Sequence, residues 1–284
     1  MGKHLLLAFI LWSVSVQGQK APQILGTCSL SDLNKAPYAE WFQTGYQSYQ
    51  SNTEIIRQIK NTNLSGVSLK VVFGTWCGDS KREVPRMAKI WNDVSIPESR
   101  LELIGVSDSS AFYKQSPTHE EQGLNVYRVP TFIVYQKGKE IGRINEFAVE
   151  SLERDLFKIL STQDYEPNYR SFPRINQWLE SGLLSDQNVN PRGLATQLRF
   201  LVSGESELNA CGYVLMSRGK LNEAVTIFRM NANLFPQSAN VFDSLGEAYI
   251  ISGDQHRALQ AYERVLQLDS QNENAKAQIA KLKK

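Results

Sequence analysis

Residues 70–87 read K-V-V-F-G-T-W-C-G-D-S-K-R-E-V-P-R-M, and the rest of the chain is organised around them. Val71, Val72 and Phe73 form a β-branched and aromatic run that Gly74 ends, the pattern of a short buried strand. The charged stretch after Gly78 predicts a helix with Pro85 inside it. Cys77 falls at the junction. Unpaired backbone N–H groups and the positive end of a helix dipole both favour a thiolate at such a place. That environment makes a cysteine a nucleophile.

Working outward, Asn52 is placed to cap a helix carrying Ile55, Ile56 and Ile59 on one face. A strand over 69–73 follows, then the Cys77 turn and a helix to about Asp93. Residues 101–106 predict another buried strand, and 107–123 a polar loop. Residues 131–135 and 140–145, joined by a Gln-Lys-Gly-Lys turn, predict a hairpin. A helix over 150–160 closes the unit with Leu152, Leu156, Ile159 and Leu160 as its apolar stripe. Strands alternating with helices, then a hairpin and a helix, give an α/β order.

With these residues at these places, 51–162 resembles the thioredoxin-like family. Three features carry the resemblance: Trp76-Cys77-Gly78 at a strand end, Pro85 eight residues beyond Cys77, and V-P-T-F-I at 129–133. The resemblance implies that Pro130 is cis, faces Cys77, and keeps the adjacent backbone open for an extended peptide. It also implies that Trp76, Gly78 and Val129 contact that substrate. K-R-E-V-P at 81–85 is similar to the K-K-E-F-P of exported thioredoxin-like proteins of the cytochrome-maturation type, in which the glutamate, here Glu83, tunes the thiol. Otherwise Glu83 is a solvated helix charge.

The departure from the family is Ser80, which stands where thioredoxins carry a second cysteine. A dithiol reductase uses that second thiol to resolve a mixed disulfide. Ser80 lies one helical turn from Cys77, where its hydroxyl is expected to donate a hydrogen bond to the thiolate. The site is then monothiol: able to attack a disulfide, accept a thiol cap or be oxidised to a sulfenic acid. The family's buried acid six residues before the nucleophile is replaced by Val71. A peroxiredoxin pattern fits poorly, because Thr75 is one residue too close to Cys77 and no proline precedes it.

The chain has 284 residues and a formal net charge of +2, enough for two domains and with no bias toward nucleic acid or an acidic membrane surface. Residues 1–18 have a short basic start and an apolar run too short to span a bilayer comfortably, which predicts a signal peptide cleaved after Gly18. The expectation is export, to a bacterial periplasm, with no other membrane association. Residues 19–50 hold Tyr38, Trp41, Phe42, Tyr46 and Tyr49 and are expected to pack against a domain as an aromatic-rich extension. The three cysteines, Cys28, Cys77 and Cys211, leave at least one thiol unpaired. Cys28 is either free, paired elsewhere or a distant resolving partner for Cys77. Dispersed histidines and cysteines show no metal-ligand spacing, and no cofactor is expected.

Turn formers and prolines in 161–173 mark a linker, and 163–203 is expected to form a linker and helical cap, with helices over 174–183 and 191–202. Beyond it Gly212, Gly219, Ala224, Phe228 and Pro236 recur as Gly246, Gly253, Ala258, Tyr262 and Ser270, at a constant spacing of 34 residues. That period resembles the tetratricopeptide repeat, so 204–284 is expected to be an all-α region of helical hairpins, closed by a helix over 272–284. The resemblance implies a concave face lined by Asn209, Tyr213, Asp243 and Glu247 that binds a protein partner. A purely structural covering for the first domain is the other reading. Cys211 sits at a helix contact and is expected to be buried and inert.

Two functions follow from the sequence. One is an exported monothiol thiol–disulfide oxidoreductase acting on protein thiols or disulfides through Cys77, with the repeats choosing the partner. The other is a non-catalytic adaptor in which both domains bind proteins.

Overall fold

The computed structural model describes residues 22–284, so the expected signal peptide over 1–18 lies outside the described residues. A five-stranded mixed sheet is built from β1 (Gly26–Cys28), β2 (Val67–Phe73), β3 (Leu101–Gly105), β4 (Thr131–Gln136) and β5 (Lys139–Asn145), in the order β1-β3-β2-β4-β5. β2 and β3 run parallel, with Val71 opposite Leu103, and the other pairs are antiparallel. β2 is therefore central. Its alternation sends Val67, Leu69, Val71 and Phe73 to one face and Val72 to the other.

The first face is covered by helices α1 (Leu30–Leu33), α2 (Ala39–Ser48), α3 (Thr53–Lys60), α4 (Gly78–Val94) and α5 (Leu152–Leu160), with Ile59, Met87, Ile90, Trp91 and Leu156 in its core. Local chemistry sets the helix starts. The Asn52 side chain accepts the Glu54 and Ile55 amide protons at the head of α3, and Ser151 accepts that of Arg154 at the head of α5. α5 starts at Leu152, with its apolar stripe and two residues later than the helix expected over 150–160.

The described part of the expected extension, from residue 22 to 50, does more than pack on the outside. Phe42 is buried in the sheet's core and Tyr38, Trp41, Tyr46 and Tyr49 pack against it, as their clustering predicts. In addition, β1 pairs with β3, Thr27 opposite Ile104, so the domain starts well before residue 51. A three-residue Gly-Thr-Cys strand carries no periodicity for the sequence to announce.

The C-terminal part is all helical: α6 (Phe172–Glu180), α7 (Pro191–Leu198), α8 (Glu205–Ser217), α9 (Leu221–Leu234), α10 (Ala239–Ile251), α11 (Gln255–Leu268) and α12 (Glu273–Leu282). The 34-residue recurrence has a packing cause. A Cβ on Gly212 would stand 2.6 Å from Cζ of Phe228, and one on Gly246 2.8 Å from Cζ of Tyr262. Each glycine thus admits the ring of the following helix, and both rings are fully buried.

The two parts meet on the segment expected to be a polar loop. Lys114, Gln115, Ser116 and Glu121 in it are buried. Gln115 donates to the Ser217 carbonyl at 3.0 Å, and the Ser217 hydroxyl donates to the Tyr113 carbonyl at 3.1 Å. Tyr127 enters the helical core, its ring 4.9 Å from that of Phe172. Polar composition marks a solvated loop only if nothing covers it, and here α8 does.

Candidate functional site

β2 delivers the chain to a tight turn in which the Cys77 amide donates to the Gly74 carbonyl at 2.9 Å. Cys77 is the residue that caps the N-terminus of the 17-residue helix α4. The Trp76 indole donates to the Val106 carbonyl at 2.8 Å, which ties the turn to the end of β3. Cys77 is half-buried, packed with Trp76 and Leu124 against the small core of Val72, Ile104, Val126, Val129 and Ile133 on the second face of the sheet. Its Sγ donates to the Val129 carbonyl at 3.3 Å, and the Val129–Pro130 bond is cis. The turn thus places Trp76, Cys77, Gly78, Val129 and Pro130 together. On the Gly78 side the surface is open: a Cβ there would meet nothing within 4 Å.

Beside Trp76 a cleft of about 320 Å³ opens between the sheet end and the N-terminal segment, with Pro37, Tyr38 and Trp41 on one wall and Lys81 on the rim. A larger cleft of about 650 Å³ lies between β5 and α6 and holds none of the candidate residues.

Two of the expected roles need correction. Ser80 is fully buried, and its hydroxyl accepts the Gly74 amide proton at 3.2 Å. Among the described residues no hydrogen bond joins it to the Cys77 sulfur, because α4 turns the hydroxyl toward the end of β2. Glu83 is neither a solvated charge nor a contact of the thiol. It is 5% exposed and holds Arg82 at 2.5 Å and Arg86 at 3.3 Å. Arg82 also reaches Asp79 at 2.7 Å, so the acidic residue nearest the sulfur in sequence is paired.

A charged group beside the site escaped the sequence reading. Arg128 donates to Glu146 at 3.3 Å and to the Ser206 carbonyl at 2.6 Å, while the Tyr169 hydroxyl donates to Glu146. Burial raises the Glu146 carboxyl above its ordinary value against the pull of Arg128. Next to them the Lys114 amine donates to the Tyr127 carbonyl at 2.6 Å and lies 4.6 Å from the centre of the Tyr113 ring, which is 6.3 Å from that of Trp76. Burial pushes Lys114 down to about 7. No motif links these residues; only the fold does.

All three cysteines are free thiols, so Cys28 does not pair with Cys77. Burial, and then Asp32, push the Cys28 thiol up to about 12. Burial also raises that of Cys211, which is fully enclosed in the helical core, as expected. Neither has the open, helix-capping setting of Cys77.

The four residues expected on a concave face also bond between helices. Asn209 is 8% exposed and accepts from Asn231 at 2.8 Å. Tyr213 donates to Glu247 at 2.9 Å, across the 34-residue period, and Asp243 accepts from Asn274 at 2.7 Å. Each of the four thus takes part in at least one helix-to-helix bond.

Among the described residues no three His, Cys, Asp or Glu side chains come together to hold a metal ion, and no helix is long and apolar enough to cross a membrane. No family model matches the chain, and no curated protein matches its sequence.

Proposed function

We propose that this is an exported, thioredoxin-like protein of the bacterial periplasm that exchanges thiols and disulfides through Cys77 alone, with a tetratricopeptide-type helical region covering one side of the site. The observation that carries the reading is the half-buried Cys77 thiol at the head of α4, hydrogen-bonded to Val129 and open on the Gly78 side. The α4 dipole favours negative charge on that sulfur. The thiolate attacks one sulfur of a partner's disulfide: a Cys77–partner S–S bond forms, the partner's S–S bond breaks, and its other sulfur leaves with the electron pair and takes a proton from water. A second thiolate, supplied by a protein or small thiol, then attacks the mixed disulfide and releases Cys77. The partner peptide lies against Trp76, Gly78, Val129 and Pro130.

The test is exchange with a disulfide-linked model peptide, followed by thiol release, in the wild type and Cys77→Ser. The reading requires that the substitution abolish release while Cys28→Ser leaves it unchanged. Equal release by the wild type and Cys77→Ser would sink it.

The adaptor reading is favoured by one observation, the burial of Ser80 in the position a resolving thiol would need. Equal release with retained capture of a protein partner would support it.

A further inference from the structure

We propose that Lys114 is the positioning residue for Cys77, its ammonium form holding the sulfur as a thiolate and its neutral form releasing that hold. The inference rests on the thiol-exchange reading and adds the group that governs it.

The geometry starts from an anomaly. A lysine 3% exposed is rarely tolerated without an ionic partner. Among the described residues Lys114 has no salt bridge and bonds one acceptor, the Tyr127 carbonyl. Cys77 bonds the Val129 carbonyl. The two side chains, carried by the segments that follow the parallel strands β2 and β3 at the same end of the sheet, therefore finish on the same three-residue stretch, 127–129. Tyr113 adjoins the same place, its ring under the Lys114 ammonium and beside Trp76, the neighbour of Cys77. The backbone is committed to this placement: Lys114 has a φ of 55°, and its amide donates to the Ser107 carbonyl at 2.8 Å.

The charged and titratable groups facing Lys114 are Arg128, which repels its proton, and Glu146, Cys77 and Cys211, which favour it. Tyr113 and Tyr127 flank it as neutral phenols, both raised by burial. Burial dominates and brings the amine down to about 7. Lys114 thus brings an amine that burial holds at about 7 to the same backbone stretch that the Cys77 thiol bonds. The family's buried acid is absent at Val71. A cation reached through the 127–129 stretch does a related task.

The experiment is the rate of Cys77 alkylation against pH in the full chain, with Cys28 and Cys211 followed separately by peptide mapping. The wild type should exceed Lys114→Met by roughly threefold to tenfold at about pH 6, the two converging above about pH 9. Lys114→Arg should keep the fast rate at low pH and lose the inflection near 7. Superimposable wild-type and Lys114→Met profiles would overturn the proposal. A measurement on the unaltered lysine guards against variants that fail to fold. The Lys114 titration, followed by NMR with isotope-labelled lysine, should move to lower pH in Cys77→Ala, because coupling is reciprocal. An unmoved midpoint would also overturn it. If exchange is unaffected by Cys77→Ser, the functional reading fails, whatever Lys114 does to alkylation.

Discussion

The Ser80 hydroxyl accepts the Gly74 amide proton at 3.2 Å, so the residue standing in the place of a second thiol holds the strand end onto the helix that follows. Ser80→Ala leaves that buried amide unpaired and should cost about 1–3 kcal/mol, read by urea denaturation, without slowing Cys77 alkylation. Ser80→Cys should carry a similar stability loss. It also supplies a thiol one helical turn from Cys77, so adducts that persist on the wild type should clear within the assay.

Gly212 and Phe228 define a second test. The missing Cβ is what admits the ring, whose Cζ would lie 2.6 Å away. Gly212→Ala improves helix propensity by about 1 kcal/mol but overpacks a fully buried ring, at about 1–3 kcal/mol. The net effect should be a lower melting temperature, partly recovered by adding Phe228→Leu. Gly246→Ala against Tyr262 should behave alike.

Lys114 makes stability depend on pH in a defined direction. Its folded value of about 7 lies below its unfolded value of about 10.4, so the unfolded chain binds more protons between the two. Stability from this group should therefore rise with pH through that window and stay flat below it. Lys114→Met should remove that rise, a change on the order of a few kcal/mol across the window, measurable as denaturation midpoints against pH.

Arg128 and Glu146 couple the two parts of the molecule, with side chains only 18% and 12% exposed. Arg128→Ala strands a buried carboxylate and removes the bond to the Ser206 carbonyl, which should cost about 3–5 kcal/mol near neutrality. Burial already raises Glu146, and losing the guanidinium raises it further. The folded state then holds the proton to higher pH than the unfolded one, so the penalty should grow as pH rises and shrink in acid.

Much of the fold is legible in the sequence because it rests on local periodicity. The β2 run, the Cys77 turn and the Asn52 cap are each read within a few residues of chain, and the Gly212–Phe228 pair from its recurrence. What escapes depends on distant residues. Gln115 is buried because Ser217, far along the chain, lies on it, and Lys114 gains its setting from Tyr127, which enters the helical core. β1 is too short to show alternation and gains its register from β3. The site is split the same way. The grouping of Trp76, Cys77, Val129 and Pro130 follows from motif and strand order, whereas the true partners of Ser80 and Glu83 depend on which way α4 faces. Tyr213 of α8 bonds Glu247 of α10, a pairing that the 34-residue spacing permits but does not announce.

The most direct measurement is the mass of the intact, non-reduced chain after incubation with a disulfide-linked peptide, followed by mapping of the adduct. A single sulfur at the head of α4, turned toward Val129 and uncovered on its Gly78 flank, should take up one peptide, all of it on Cys77 and none in Cys77→Ala. A chain that stays unmodified, or that carries the peptide on Cys28, would contradict the account.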